Sequence, residues 1–353
     1  MNAQLSFDYI IVGAGSAGCV LAARLSEDPD IRVLVLEAGG SDQRWQIQMP
    51  GAVRENVKAN CQWNWHYESQ PETYLSDRCI EHPRGKVLGG SGSLNGMVFL
   101  RGHALDYERW SQEGARGWSY SSVLPYFKRM ETTDQGGCDY RGGNGPIRVR
   151  RQRNLMPLNQ AFLDAGQEAG YSQTDDVNGY RQEGFCRFDS NVAAGIRASS
   201  ANAYLRPAMD RQNLDIHTHC HVQKVTFDGL RANSVVYTQH GEIKRAHADR
   251  EIILCGGTFG SAQILLLSGI GPADRLRELD IPIVVDLPGV GQNLQDHLEI
   301  HVQFESPDPI SLNKFLHPLR MIGIGAQWFM TRRGPAAVNQ THVGAFLRTG
   351  LNH

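Results

Sequence analysis

The sequence predicts an α/β protein on a doubly wound sheet, with an α+β part interleaved through it. Three observations carry the prediction. The first forty residues alternate strand, glycine turn, helix and strand. A later stretch, at 85–97, holds five glycines, more than an ordinary strand or helix tolerates. The 353 residues, 41% of them hydrophobic, are enough to bury a sizeable core.

The opening run FDYIIVGAGSAGCVLAARLSEDPDIRVLVLEAGG begins with an apolar strand at about Tyr9 to Val12. Helical spacing follows at Val20, Ala23 and Leu25, then a second apolar run from Val33 to Leu36 that ends on Glu37. Gly13, Gly15 and Gly18 make a GxGxxG, with Glu37 nineteen positions past the last glycine. Each part has a task in holding a dinucleotide. Gly13 permits the tight turn, Gly15 admits a pyrophosphate to the backbone, and Gly18 lets the helix pack on the sheet. The helix start offers free amides to phosphate. Glu37 is placed to accept hydrogen bonds from a ribose, and its charge repels a 2′-phosphate. FAD or NAD is the expected ligand, and the continuation GxGxxGxxxAxxL through Ala22 and Leu25 leans toward FAD.

The bulk numbers exclude other classes. Thirty-five basic and thirty-seven acidic residues leave a net charge of -2, with no polyphosphate track, so nucleic acid is not an expected partner. The start MNAQLSFDYIIVGAG has no basic n-region, and its apolar run meets glycines too soon for a signal segment, so a cytoplasmic setting is expected. Seven scattered cysteines with no CxxC pair are expected to be reduced and mostly structural.

The stretch Gly85-Lys86-Val87-Leu88-Gly89-Gly90-Ser91-Gly92-Ser93-Leu94-Asn95 resembles the first signature of the glucose-methanol-choline (GMC) oxidoreductases. GGTFGSAQILLLSGIG at 256–271 resembles the second, with Ala262 where the strict pattern has Pro or Ser. VQKVTFDG at 222–229 and PGVGQNLQDHL at 288–298 are also similar to family segments, and the likeness runs from Asp8 to about Thr349. It implies an FAD-dependent oxidoreductase acting on CH–OH groups, oxidising an aliphatic or choline-like alcohol to an aldehyde, with oxygen or a quinone-like compound as electron acceptor. Carried over residue by residue, FAD contacts fall on Gly13, Ala14, Gly15, Ser16, Gly18, Glu37, Ala38, Val87, Gly90, Ser91, Asn95, Gly96, Met97, Val98 and Val222. Some relatives tether flavin through a histidine before the signature Asn; Leu94 stands there, which implies non-covalent FAD.

Through the resemblance, residues 1–300 are assigned to the FAD-binding domain, of which about 140–205 contribute to the substrate domain, and 301–353 begin that second domain. The candidate strand His342 to Arg348 has no partner after it, and the family's catalytic His and His/Asn pair is expected beyond residue 353. The sequence therefore reads as C-terminally truncated. Two alternatives remain open: an FAD-binding fragment without catalysis, and a hydroxynitrile-lyase-type relative. The segment Asn64-Trp65-His66-Tyr67 is read as fitting a short or medium aliphatic alcohol, or choline.

Other groups invite functional readings that the sequence resists. Alternation on one strand would place His217, His219 and His221 on a single face, but no acidic or cysteine partner completes a metal shell, and no metal site is expected. Asp296-His297 lacks a nucleophile for hydrolysis. Arg148, Arg150, Arg151 and Arg153 read as solvated arginines on an exposed strand. The apolar segment from Arg320 to Met330 is expected to be broken by Gly323 and Gly325 and is too short to span a bilayer. A membrane or electron-acceptor surface there is left open but not indicated.

Overall fold

The computed structural model describes residues 6–152, 155–308 and 310–348. Arg153 and Thr349 lie outside the described residues. The chain divides into two units: one comprises the chain up to Arg44, Arg54–Leu94 and Ser199–Val302, the other Trp45–Val53, Asn95–Ala198 and the chain from Gln303 onward. The stretch 95–130, assigned from the sequence to the flavin domain, packs in the second unit.

In the first unit, β1 (Ser6–Val12), α1 (Ser16–Leu25) and β2 (Val33–Leu36) form the expected opening motif. Further along come β3 (Leu214–His217), β4 (Cys220–Asp228), β5 (Arg231–Gln239), β6 (Glu242–Leu254) and α2 (Gly257–Leu267). The six strands form one sheet in the order β3-β2-β1-β6-β5-β4. The first four are parallel; β5 and β4 extend the sheet as an antiparallel meander from β6.

All four residues of β2 are buried, as a parallel strand covered on both faces requires, which is why VLVL shows no polar alternation. The core joins Phe7, Ile10, Leu34, Leu36, Val225, Val235, Tyr237 and Ile264. Gly18, Cys19, Ala22 and Ala23 make the buried face of α1. A β-carbon on Gly18 would lie 1.9 Å from the Gly13 carbonyl oxygen, so only glycine lets this turn close. Ser268, just after α2, accepts the Val225 amide at 2.9 Å and so ties the end of α2 to β4.

Register sets the functional edge. Val12 aligns with both Leu36 and Leu254, and Leu36 with His217, so the parallel strands end side by side. Their carboxyl ends are where ligands bind in open α/β sheets.

The second unit has a three-stranded sheet (Glu131–Thr133, Ile147–Arg151, Asp189–Ser190) and an antiparallel pair. In that pair Val343–Phe346 lies on Gly184–Arg187, with Val343 opposite Arg187. The candidate strand near the chain end thus finds its partner earlier in the sequence. The helix Pro318–Thr331 runs through Gly323 and Gly325 unbroken, contrary to expectation. Trp328, 1% exposed, anchors it with an indole N–H to the Gly195 carbonyl at 2.7 Å, enough to offset a cost of about 1 kcal/mol per helical glycine. No helix among the described residues is long and apolar enough to cross a membrane.

Arg151 also departs from expectation. Its guanidinium donates to Asp189 at 2.9 Å and lies 3.7 Å from Asp176, because the strand faces a cluster of carboxylates rather than water.

Candidate functional site

A cavity of about 450 Å³ opens at the carboxyl ends of β1, β2 and β6, wholly within the first unit. Gly13, Gly15, Ser16, Glu37, Ala38, Gly90, Ser91 and Val222, all named from the sequence, line it. Two helices begin at its wall. Gly15 and Ser16 start α1, and Gly256 and Gly257 start α2, and neither N-cap carries a side-chain hydrogen bond. First-turn amides have no partner inside a helix, so both starts present positive ends and donors to the space.

Glu37 closes the far end of β2. Its carboxylate accepts the Ala14 amide on one oxygen and the Gly39 amide on the other, each at 2.8 Å. Burial pushes its pKa up to about 7, against the pull of those amides and of the Lys86 charge. Its backbone is pinned as well: the Glu37 amide donates to His217, and the Cys220 amide donates to the Glu37 carbonyl.

The glycine-rich stretch folds against this cradle. Gly90 has φ +54°, and a β-carbon there would lie 2.8 Å from the Gly15 α-carbon, so its glycine is required. Ser91 Oγ accepts the Gly85 amide, and Ser93 Oγ donates to the Leu88 carbonyl. Val87 is 1% exposed and bridges Gly40, which makes it a packing residue behind the cavity. Ala14 and Gly18 hold the turn and do not line the space; Ala14 acts through its amide on Glu37.

Asn95, Gly96, Met97 and Val98 belong to the second unit. There Asn95 Oδ1 accepts the Met97 amide and a guanidinium N–H of Arg197, while Val98 bridges Ser190. Met97 is fully buried at φ +61°.

The aromatic wall was missed in the sequence. Trp65, Tyr67, His221 and Phe259 line the cavity with Arg84. Trp65 stacks on Tyr67 at 5.8 Å and meets His221 edge-on at 5.8 Å, and Tyr67 packs on Phe259 at 5.1 Å. The Asn64–Tyr67 segment, read from the sequence as fitting a short or medium aliphatic alcohol or choline, turns Trp65 and Tyr67 toward the Glu37 cavity. Asn64 is buried and its Oδ1 accepts the His66 and Arg84 amides, holding the loop. Phe259 lies in the second signature, so its motif could have flagged it; Trp65 had no comparable signal.

The three histidines do not share a strand face. His217 ends β3, His219 turns at φ +57°, and His221 sits on β4. Among the described residues no group of three or more His, Cys, Asp or Glu is arranged to hold a metal. Burial pushes the Cys19 thiol to about 12 and the Cys220 thiol to about 11, so neither is a thiolate near neutrality. Asp296 is exposed, 3.8 Å from His82.

A family model described as GMC oxidoreductase matches residues 7–299. The mitochondrial choline dehydrogenase of Mus musculus is 47% identical over 356 residues, covering 98% of this chain and 60% of that protein. The oxygen-dependent choline dehydrogenase of Burkholderia lata is 49% identical over 348 residues, covering 97% and 61%. Among solved structures, an FAD-dependent oxidoreductase from Chaetomium thermophilum superposes with a TM-score of 0.87 at 30% identity, over 96% of this chain and 61% of that one. Formate oxidase of Aspergillus oryzae gives 0.88 at 26% identity, over 99% and 62%. The chain thus spans about 60% of the length of the curated relatives it matches.

Proposed function

The chain belongs to the GMC oxidoreductase family, and from that premise we propose that it is the FAD-holding part of an oxidoreductase that converts a small alcohol, choline or a short aliphatic one, to an aldehyde. One observation carries the reading. A single cavity gathers two uncapped helix starts, a buried carboxylate, an aromatic wall and a glycine cradle that a β-carbon at Gly90 would fill. That set fits a flavin dinucleotide.

The amides at Gly15–Ala17 and Gly257–Phe259 would hold the pyrophosphate. Glu37 would accept from the ribose, and Trp65 and Val222 would flank the adenine. Bound FAD supplies the acceptor for the hydride leaving the carbinol carbon. Leu94, 5% exposed, offers no nucleophile to the ring, so the flavin is held without a covalent bond. The residue that takes the hydroxyl proton is assigned to the C-terminal part that the curated relatives carry beyond the matched region. Names among the relatives, choline dehydrogenase and oxygen-dependent choline dehydrogenase, support choline as substrate and oxygen as one acceptor.

The test begins with the 353-residue chain and added FAD. Flavin should co-elute on gel filtration and appear free after acid denaturation. A chain that folds and takes up no flavin overturns the reading, and flavin retained on the denatured chain overturns the non-covalent part. Anaerobic choline should bleach the flavin of the full-length protein; a flavin unmoved by alcohols would point to the lyase alternative.

A further inference from the structure

Lys86 lies outside the cavity lining, yet it is fixed from two sides. Its amide donates to the Trp63 carbonyl at 2.9 Å, and the Trp65 amide donates to the Arg84 carbonyl at 2.8 Å, so 84–86 runs beside 63–65. On the other side the Leu88 amide donates to Gly40, and Val87 bridges Gly40 in parallel register. The approach is so close that a β-carbon on Gly39 would lie 1.8 Å from the Lys86 carbonyl oxygen. The lysine backbone is therefore clamped between the segment that carries Trp65 and the turn that follows Glu37.

The side chain completes the arrangement. Lys86 Nζ sits 4.7 Å from the centroid of the Trp65 ring, within cation–π range. Its charge also reaches the Glu37 carboxylate, where it opposes the effect of burial. Other titratable groups surround Glu37 as well: Arg84 and His221 line the same cavity, and the His219 amide donates to the Gly39 carbonyl. Cys19 on α1 and Cys220 on β4 stay neutral thiols, His217 ends β3, and Asp42 lies 2.8 Å from Arg206.

We propose that Lys86 is the positioning residue of the adenosine end of this cavity, its ammonium both holding the Trp65 ring and supplying the positive charge that the buried Glu37 carboxylate needs to receive a ribose. The proposal rests on the FAD reading above. It assigns Lys86 no contact with the cofactor. Its effect passes through two residues that would touch it.

Fluorescence titration of the full chain with FAD, across pH, tests this. Ionised Glu37 is the accepting form, so affinity in the unaltered chain should rise with pH through the neutral range. In Lys86→Met the carboxyl loses its cation and keeps its proton to higher pH. The affinity midpoint should then move up by about one pH unit, weakening binding about fivefold at about pH 7 and about tenfold a unit or more below it. Lys86→Arg should restore the midpoint, and Glu37→Gln should remove the pH dependence altogether. A purely structural lysine would lower affinity equally at every pH, and that result overturns the proposal, as does an unchanged titration. Should Lys86→Met not fold, Lys86→Gln, a shorter polar side chain, also removes the charge, with the same two outcomes. If the unaltered chain itself binds no FAD, it is the cofactor reading that fails.

Discussion

Glu37 in the first unit and Glu131 in the second are both buried carboxylates, 6% and 0% exposed, and they are satisfied by opposite means. Glu37 accepts two backbone amides and faces a cavity. Glu131 accepts Arg101 at 2.8 Å, Arg141 at 2.7 Å and the Gly142 amide at 2.9 Å. Arg141 goes on to Asp176 and Asp189, both at 2.8 Å; burial works against its charge, and Glu131 and then Asp176 outweigh it and raise its pKa. A carboxylate has about four lone-pair sites. Around Glu131 strong charged donors take them, so that cluster can only hold the fold. Around Glu37 weaker donors leave accepting capacity turned toward open space, which is what a ligand site requires.

The contrast can be broken most severely at the cradle. Gly18→Val places a side chain on the Gly13 carbonyl, and the loss is expected at about 5 kcal/mol, read as collapse of the urea midpoint together with flavin binding. Next comes the second unit. Arg141→Met leaves Glu131 and Asp189 buried without that cation, costing about 3–5 kcal/mol in urea unfolding. Below the unfolding transition, flavin affinity should stay within about threefold, since the cluster serves packing.

Glu37 sharpens the comparison through pH. Burial raises its pKa from 4.5 to about 7, so between those values the folded chain holds a proton that the unfolded chain has released. Stability of the ligand-free chain should therefore fall as pH rises through that window and level off above it. The swing is on the order of 3 kcal/mol, and Glu37→Gln should flatten it in urea titrations on either side of the window. The smallest effect is expected at the wall: Trp65→Ala should weaken FAD binding by about 1–2 kcal/mol, roughly tenfold, with little change in unfolding midpoint because Trp65 is only half-buried.

Legibility in the sequence followed the range of the interactions. The turn at Gly13–Gly18 and the acid at the end of β2 are local rules of backbone geometry, and each stands where it was read, whereas the close approach of Gly90 is to Gly15, seventy-five positions away. The histidine alternation failed because the chain leaves a parallel pairing with β2 and enters an antiparallel one with β5, turning at His219. The break expected at Gly323 and Gly325 failed because Trp328 is buried, a fact of packing that propensity does not contain. Trp65 and Phe259 are nearly two hundred positions apart and share one cavity wall.

The amino-acid sequence by itself determined the opening βαβ motif, because glycine geometry and an acid at a strand end act over a few residues, and its signature stretches carried the resemblance to the family. Only the tertiary structure decided which side chains wall the cavity, which charges are neutralised and which stay open to a ligand. Those depend on distances across the sheet and on burial, which arise when remote segments pack.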